Sequence, residues 1–180
     1  MANRMRGKEC GIMKTISIGT GNTLLTIKTE NSEQIITMDM LRPIWHDISN
    51  GSRDDIEYLS ADLYDDLLVC CAYVSQGQGG IVFVWDTSKE KIVHYSDGYF
   101  AVKAAINNEI VYVLRMVSFW GQEAHLEMDC CPLGTMEEDN DVSAVELDEE
   151  TAHLLINDPQ NYVIEFDSED RPIISVVSHD

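Results

Sequence analysis

The sequence predicts a mostly β fold: a stacked or strongly curved antiparallel sheet built from about four hairpin-like units, with one or two short helices. Three observations carry this expectation. A bulky apolar residue is followed at once by Asp at Met38-Asp39, Trp85-Asp86, Met128-Asp129 and Phe166-Asp167, in steps of 47, 43 and 38 residues. Each pair is read as closing a β run and opening a polar turn. Ser60–Ser88 also lies over Lys103–Cys131 at an offset of 43 residues, with 4 of 29 positions identical, so the match is one of pattern. In it Asp65-Asp66 falls on Asn108-Glu109, and Leu67–Val74 falls on Ile110–Val117. Finally, those last two runs are apolar almost without a break, whereas a strand wetted on one face alternates; both are therefore expected to be covered on both faces.

The elements follow in order. Residues 14–38 read as a meander, "TISIG", "TLLTIK" and "IITM" being separated by the turn-rich "GTGN" and "TENSEQ". In "MLRPIWHDISN" the apolar spacing of Leu41, Ile44, Trp45 and Ile48 predicts a short helix over 40–50 with Pro43 in its first turn. Strands are expected near 56–61, 66–74, 80–86, 91–95, 98–104, 109–117 and 123–129. A loop follows from 134, then a helix over 149–156 capped by Asp148, then the strands "YVIEF" and "PIISVV". A period of about 40–45 residues is that of a four-stranded propeller blade, and "VFVWDTSKEKIVHYSDG" resembles a blade's outer hairpin. The alternative architecture is accordingly a small four-bladed propeller-like ring. The uneven steps and the two helices favour the stacked or curved sheet.

Residues 1–13 read as a mobile extension ahead of a single mostly β domain over 14–180. At 180 residues and 44% apolar content the chain can bury a core without covalent staples. No apolar run reaches membrane-spanning length, and "MANRMRGKECGIMKT" lacks the apolar stretch of a secretory signal. Five cysteines, four of them in the adjacent pairs Cys70-Cys71 and Cys130-Cys131, do not make a disulfide framework. They suit small buried hydrophobes in a reducing cytoplasm.

The net charge is −20, and without Arg4, Arg6, Lys8 and Glu9 the remaining 9 basic residues face 31 acidic ones. Such a body is repelled by nucleic acid and by anionic membranes. It is drawn to basic proteins.

No motif names a reaction. "GTGN" and "QGQGG" do not continue into a phosphate-cradling loop, and both read as turns. His125-x-Glu127 with Cys130-Cys131-Pro132 has the residue types of a zinc deaminase. Its ligands are crowded within eight positions, however, and cannot converge on one metal. Asp139-Asn140-Asp141 lacks the Gly and the spacing of a calcium loop. No cofactor, metal or catalytic residue is assigned.

Binding features are more informative. Phe119-Trp120 falls at an expected hairpin tip, where large aromatics serve as interface anchors. Between Glu137 and Glu150 lie eight carboxylates: Glu137, Glu138, Asp139, Asp141, Glu146, Asp148, Glu149 and Glu150. Together these residues predict a non-catalytic protein-binding module. Its expected role is that of an acidic inhibitor, of the immunity or phage anti-defence kind, which covers a basic surface on a nuclease, toxin or other nucleic-acid-binding protein. The alternatives are a small β-scaffold that binds or acts on a metabolite or glycan, and a structural subunit of a cytosolic assembly.

Overall fold

The computed structural model describes residues 14–29, 31–48, 51–74, 79–117, 125–134, 141–145 and 161–176. The expected meander is present as sheet I, formed by β1 (Thr15–Ile18), β2 (Thr23–Lys28) and β3 (Glu33–Thr37), paired antiparallel in that order. A single helical turn, α1 (Met38–Leu41), follows and buries Met38 and Leu41. The helix expected over 40–50 is therefore earlier and shorter. Pro43 lies beyond it, has no N–H to extend the ladder, and leaves Ile44 and Trp45 to close a turn onto the Leu41 carbonyl. Two 3-10 turns, His46–Ile48 and Arg53–Asp55, complete the connection. The second is fastened by a capping box in which Ser52 Oγ accepts from Asp54 N and Asp55 Oδ2 accepts from Ser52 N.

Sheet II is the meander β4 (Ile56–Tyr64), β5 (Leu67–Val74), β6 (Gly80–Asp86) and β7 (Lys91–Asp97). Sheet III repeats its strand order with β8 (Ala101–Asn107), β9 (Ile110–Val117), β10 (His125–Pro132) and β11 (Asp141–Val145). The offset of 43 residues thus superposes β4 on β8 and β5 on β9. It also superposes turns: Tyr64 pairs with Leu67 and Asn107 with Ile110, across two-residue hairpins. Asn108 and Glu109 both have positive φ, 49° and 63°, as a twist-matched hairpin turn requires, and Asp65 at the equivalent place has φ 52°. Sheet IV holds β12 (Tyr162–Phe166) and β13 (Pro172–Val176). With three, four, four and two strands among the described residues and no closed barrel, the units do not form the regular ring of the alternative reading.

Alternation along each strand explains how the sheets stack. Leu68, Cys70, Ala72, Ile81, Phe83 and Trp85 pack with Leu24, Ile27, Ile36, Met38 and Trp45 between sheets I and II. Their neighbours Val69, Cys71, Val82 and Val84 face the other way and meet Ala101, Ala104, Val111, Val113 and Cys131 of sheet III. Val102, Ala105, Leu114, Leu126 and Met128 then pack against Tyr162 and Ile164 of sheet IV. Sheets II and III are covered on both faces, as their unbroken apolar runs predict. Each large side chain so buried contributes roughly 1.5–3 kcal/mol.

The Met–Asp and Trp–Asp pairs behave less uniformly than expected. Trp85-Asp86 and Phe166-Asp167 do end strands and open turns. Met38-Asp39 instead begins α1, and Met128-Asp129 sits inside β10, which runs on to Pro132 because Cys130 and Cys131 still pair with Tyr112 and Val111.

One polar seam crosses the layer between sheets II and III. The face of β4 turned toward β8 presents Tyr58, Ser60, Asp62 and Tyr64. The Tyr58 and Ser60 hydroxyls both donate to the Val102 carbonyl on β8, which occupies backbone that an edge strand otherwise leaves open. Lys103 Nζ lies 2.9 Å from Asp62 Oδ2, with side chains 1% and 7% exposed. Burial pushes the Asp62 carboxyl up, and the Lys103 ammonium pulls it back. Where the chain passes from β7 to β8, backbone approaches backbone: a Cβ on Gly98 would lie 2.2 Å from Ile81 N.

Two outcomes are expected in urea denaturation. Lys103→Met or Asp62→Leu alone leaves a buried charge without its partner and costs about 3–5 kcal/mol, whereas the double replacement recovers most of that loss. Gly98→Ala forces sheet II away from the crossover and destabilises more than Gly21→Ala, which bears the strain of a φ of +60° but whose Cβ meets nothing within 4 Å.

Candidate functional site

With both faces of the middle sheets covered, polar residues are left the strand ends. One end of the stack gathers the hairpin turns. Lys14 Nζ, at the entry to β1, reaches the Asp65 carbonyl at 3.1 Å, Asp66 Oδ1 at 2.5 Å and Thr87 Oγ1 at 3.1 Å, tying sheet I to the β4–β5 and β6–β7 turns. Gln34 Nε2 donates to the Thr87 carbonyl at 2.7 Å and to Glu90 Oε1 at 3.3 Å. Leu133 N donates to the Glu109 carbonyl, and Asn107 Nδ2 donates to Asp170 Oδ1, which brings the ends of β10 and of sheet IV to the β8–β9 turn.

This turn end carries exposed Glu33, Asp65, Asp66, Glu90, Glu109, Glu169 and Asp170. Its basic side chains are largely spent internally: Lys14 on Asp66, Lys28 on Glu33, Lys89 on Asp86, and Arg171 on Asp167 and Glu169. The opposite end is acidic too, with exposed Asp39, Asp54, Asp55, Glu57 and Asp97. There Arg42 pairs with Asp39, while Arg115 binds Asp129 and donates to the carbonyls of Tyr99 and Asp97.

The turns are rigid for local reasons. Asp86 Oδ1 accepts from Ser88 N, Ser88 Oγ and Lys89 N, and its Oδ2 meets Lys89 Nζ at 2.7 Å. Hydrogen bonds from Lys89 and Ser88 hold this carboxyl well below the usual carboxylate range. Asp167 repeats the device in the last hairpin, where the Arg171 and Glu169 amides lower its carboxyl.

Three of the described cysteines, Cys70, Cys71 and Cys131, are buried. Cys70 and Cys71 face opposite layers; burial pushes the Cys70 thiol well up and the Cys71 thiol up to about 12. Burial also raises Cys131, which lies 3.7 Å from His94 Nε2. Among the described residues no three His, Cys, Asp or Glu side chains are grouped as metal ligands would be. Among the same residues no helix is long and apolar enough to cross a membrane.

Of the residues expected to bind a partner, Phe119, Trp120, Glu137, Glu138, Asp139, Glu146, Asp148, Glu149 and Glu150 lie outside the described residues, as does the helix expected over 149–156. Asp141 opens β11. The turn acids Asp65, Asp66, Glu109, Glu169 and Asp170 make up the candidate site among the described residues, and reasoning from the sequence did not assign them to binding. The signal that marks them is an acid at each repeat's tightest turn.

Asp86→Asn should lower stability at pH 7 by about 1–3 kcal/mol, the range for losing hydrogen bonds to a charged group. Because the folded-state carboxyl is depressed, its contribution is present above the unfolded value of about 3.9 and is lost as pH falls below it. Urea denaturation at pH 7 and pH 3 should therefore show a smaller difference between the variant and the parent at pH 3. The chain matches no protein-family model, no curated protein and no solved structure.

Proposed function

We propose that this chain is a non-catalytic protein-binding module that works in the cytoplasm as an acidic inhibitor. In this reading it occludes a basic surface of a nuclease, toxin or other nucleic-acid-binding protein. The observation that carries the reading is the turn end of the stack, where hairpins from every sheet present carboxylates and most of the basic side chains are already engaged with internal acids. Carboxylates fixed on hydrogen-bonded turns stand where phosphates would stand on the partner's own ligand. They need little reorganisation on binding. Buried thiols held in the neutral form fit a scaffold better than a nucleophile.

The test begins with capture of a basic partner from the native host at low salt, followed by measured association rates. Asp65→Asn, Glu109→Gln, Glu169→Gln and Asp170→Asn together should keep the fold by circular dichroism and slow association at least about ten-fold. About 0.5 M salt should do the same to the parent protein. An association rate unmoved by both the substitutions and the salt would overturn the reading.

A further inference from the structure

We propose that His94, Cys131 and Gly134 form an acid-sensitive latch, in which neutral His94 pins the corner where β10 ends and a proton on its ring releases that corner. His94 pairs with Val84 of β6 and so points into the layer between sheets II and III, where its exposure is 0%. Gly134 N donates to His94 Nδ1 at 3.3 Å. The donor is held in place by a left-handed backbone, φ +90°, which suits glycine.

The geometry fixes the tautomer. A ring nitrogen that accepts a hydrogen bond carries no proton, so in neutral His94 the proton is on Nε2. That N–H faces Cys131 Sγ at 3.7 Å, and the sulfur is its acceptor. The protonated ring has two N–H donors and no acceptor. Its Nδ1–H would then point at the Gly134 N–H, donor against donor, and the exposed Gly134 amide is free to turn to solvent instead. The Gly134 contact is the one that must open, because Nε2–H can still meet the sulfur.

The groups around the ring do not offset this. From β10 it faces Cys131, and Asp129, two residues back on the same face, is held by Arg115. From β6 it faces Val84, and two residues on along its own strand is Ser96. Burial holds the ring's affinity for a proton below that of a free histidine. With the folded-state value depressed, the contribution to stability is full above the unfolded value of about 6.5 and falls as pH drops below it. Leu133 keeps its bond to the Glu109 carbonyl, so release begins at Gly134 and not within β10.

Nitrogen-15 NMR of the imidazole, recorded with amide exchange of the intact chain between pH 7.5 and pH 4.5, tests this. The expected result is an Nε2–H tautomer at pH 7.5. As His94 titrates, the Gly134 protection factor should fall at least about ten-fold, while Val84 and Leu133 keep theirs. His94→Asn retains an acceptor but does not titrate, so its Gly134 protection should not depend on pH over this range. The latch is overturned by an Nδ1–H tautomer at neutral pH, by Gly134 protection unchanged across the titration, or by Val84 and Gly134 losing protection together. It is equally overturned if His94→Asn shows the parent's loss in acid; should that variant not fold, the titration of the parent decides alone. No partner enters the experiment, so failure of the latch and failure of the inhibitor reading are separable.

Discussion

Burial on both faces of β5, β6, β8 and β9 is the constraint on which the rest of the structure depends. A strand such as Leu67–Val74 has no polar face to show to water, so its sheet must lie between two others. Sheet II lies between sheet I and sheet III, and sheet III between sheet II and sheet IV. The middle sheets cannot fold as independent units without leaving one apolar face wet. The outer sheets, with exposed Ile35 and Ile173, are the places where this demand relaxes.

The charge distribution is a consequence of that packing. The buried acidic side chains among the described residues are each compensated: Asp62 by Lys103, Asp129 by Arg115, and Asp86 by Lys89 and two amides. Many of the other described acids, Asp65, Asp66, Glu90, Glu109, Glu169 and Asp170 among them, sit on turns. Those turns are short and internally hydrogen-bonded, so the negative charge stands on rigid backbone. The inhibitor role proposed above draws on this array of turn carboxylates.

Much of the architecture was legible in the sequence for physical reasons. The offset of 43 residues predicted equivalent strands, and the unbroken apolar runs predicted sheets covered twice. The cysteines were expected as small buried hydrophobes, and Cys70 and Cys71 are buried, on opposite faces of β5. Other features were hidden because tertiary partners decide them. Lys103 interrupts the apolar run "AVKAAIN" as a lone charge, and nothing local says that Asp62, forty-one positions earlier, will meet it. Met128-Asp129 looked like a strand end, yet pairing with β9 carries β10 onward. Pro43 was consistent with the start of a helix, but α1 stands before it because Met38 and Leu41 reach the first apolar layer. The turn acids were not read as a site from the sequence, because their assembly at one end depends on stacking that no single turn encodes.

Native-state amide exchange measured strand by strand tests the two-faced burial most directly. The account predicts that the slowest amides, exchanging only on global unfolding, lie in 68–72, 81–85, 102–105 and 111–114, while sheets I and IV open at lower free energy. If the amides of β1 and β13 were as slow as those of β5 and β9, or if sheet II exchanged independently of sheet III, the sheets would not be holding one another in place and the account would be wrong.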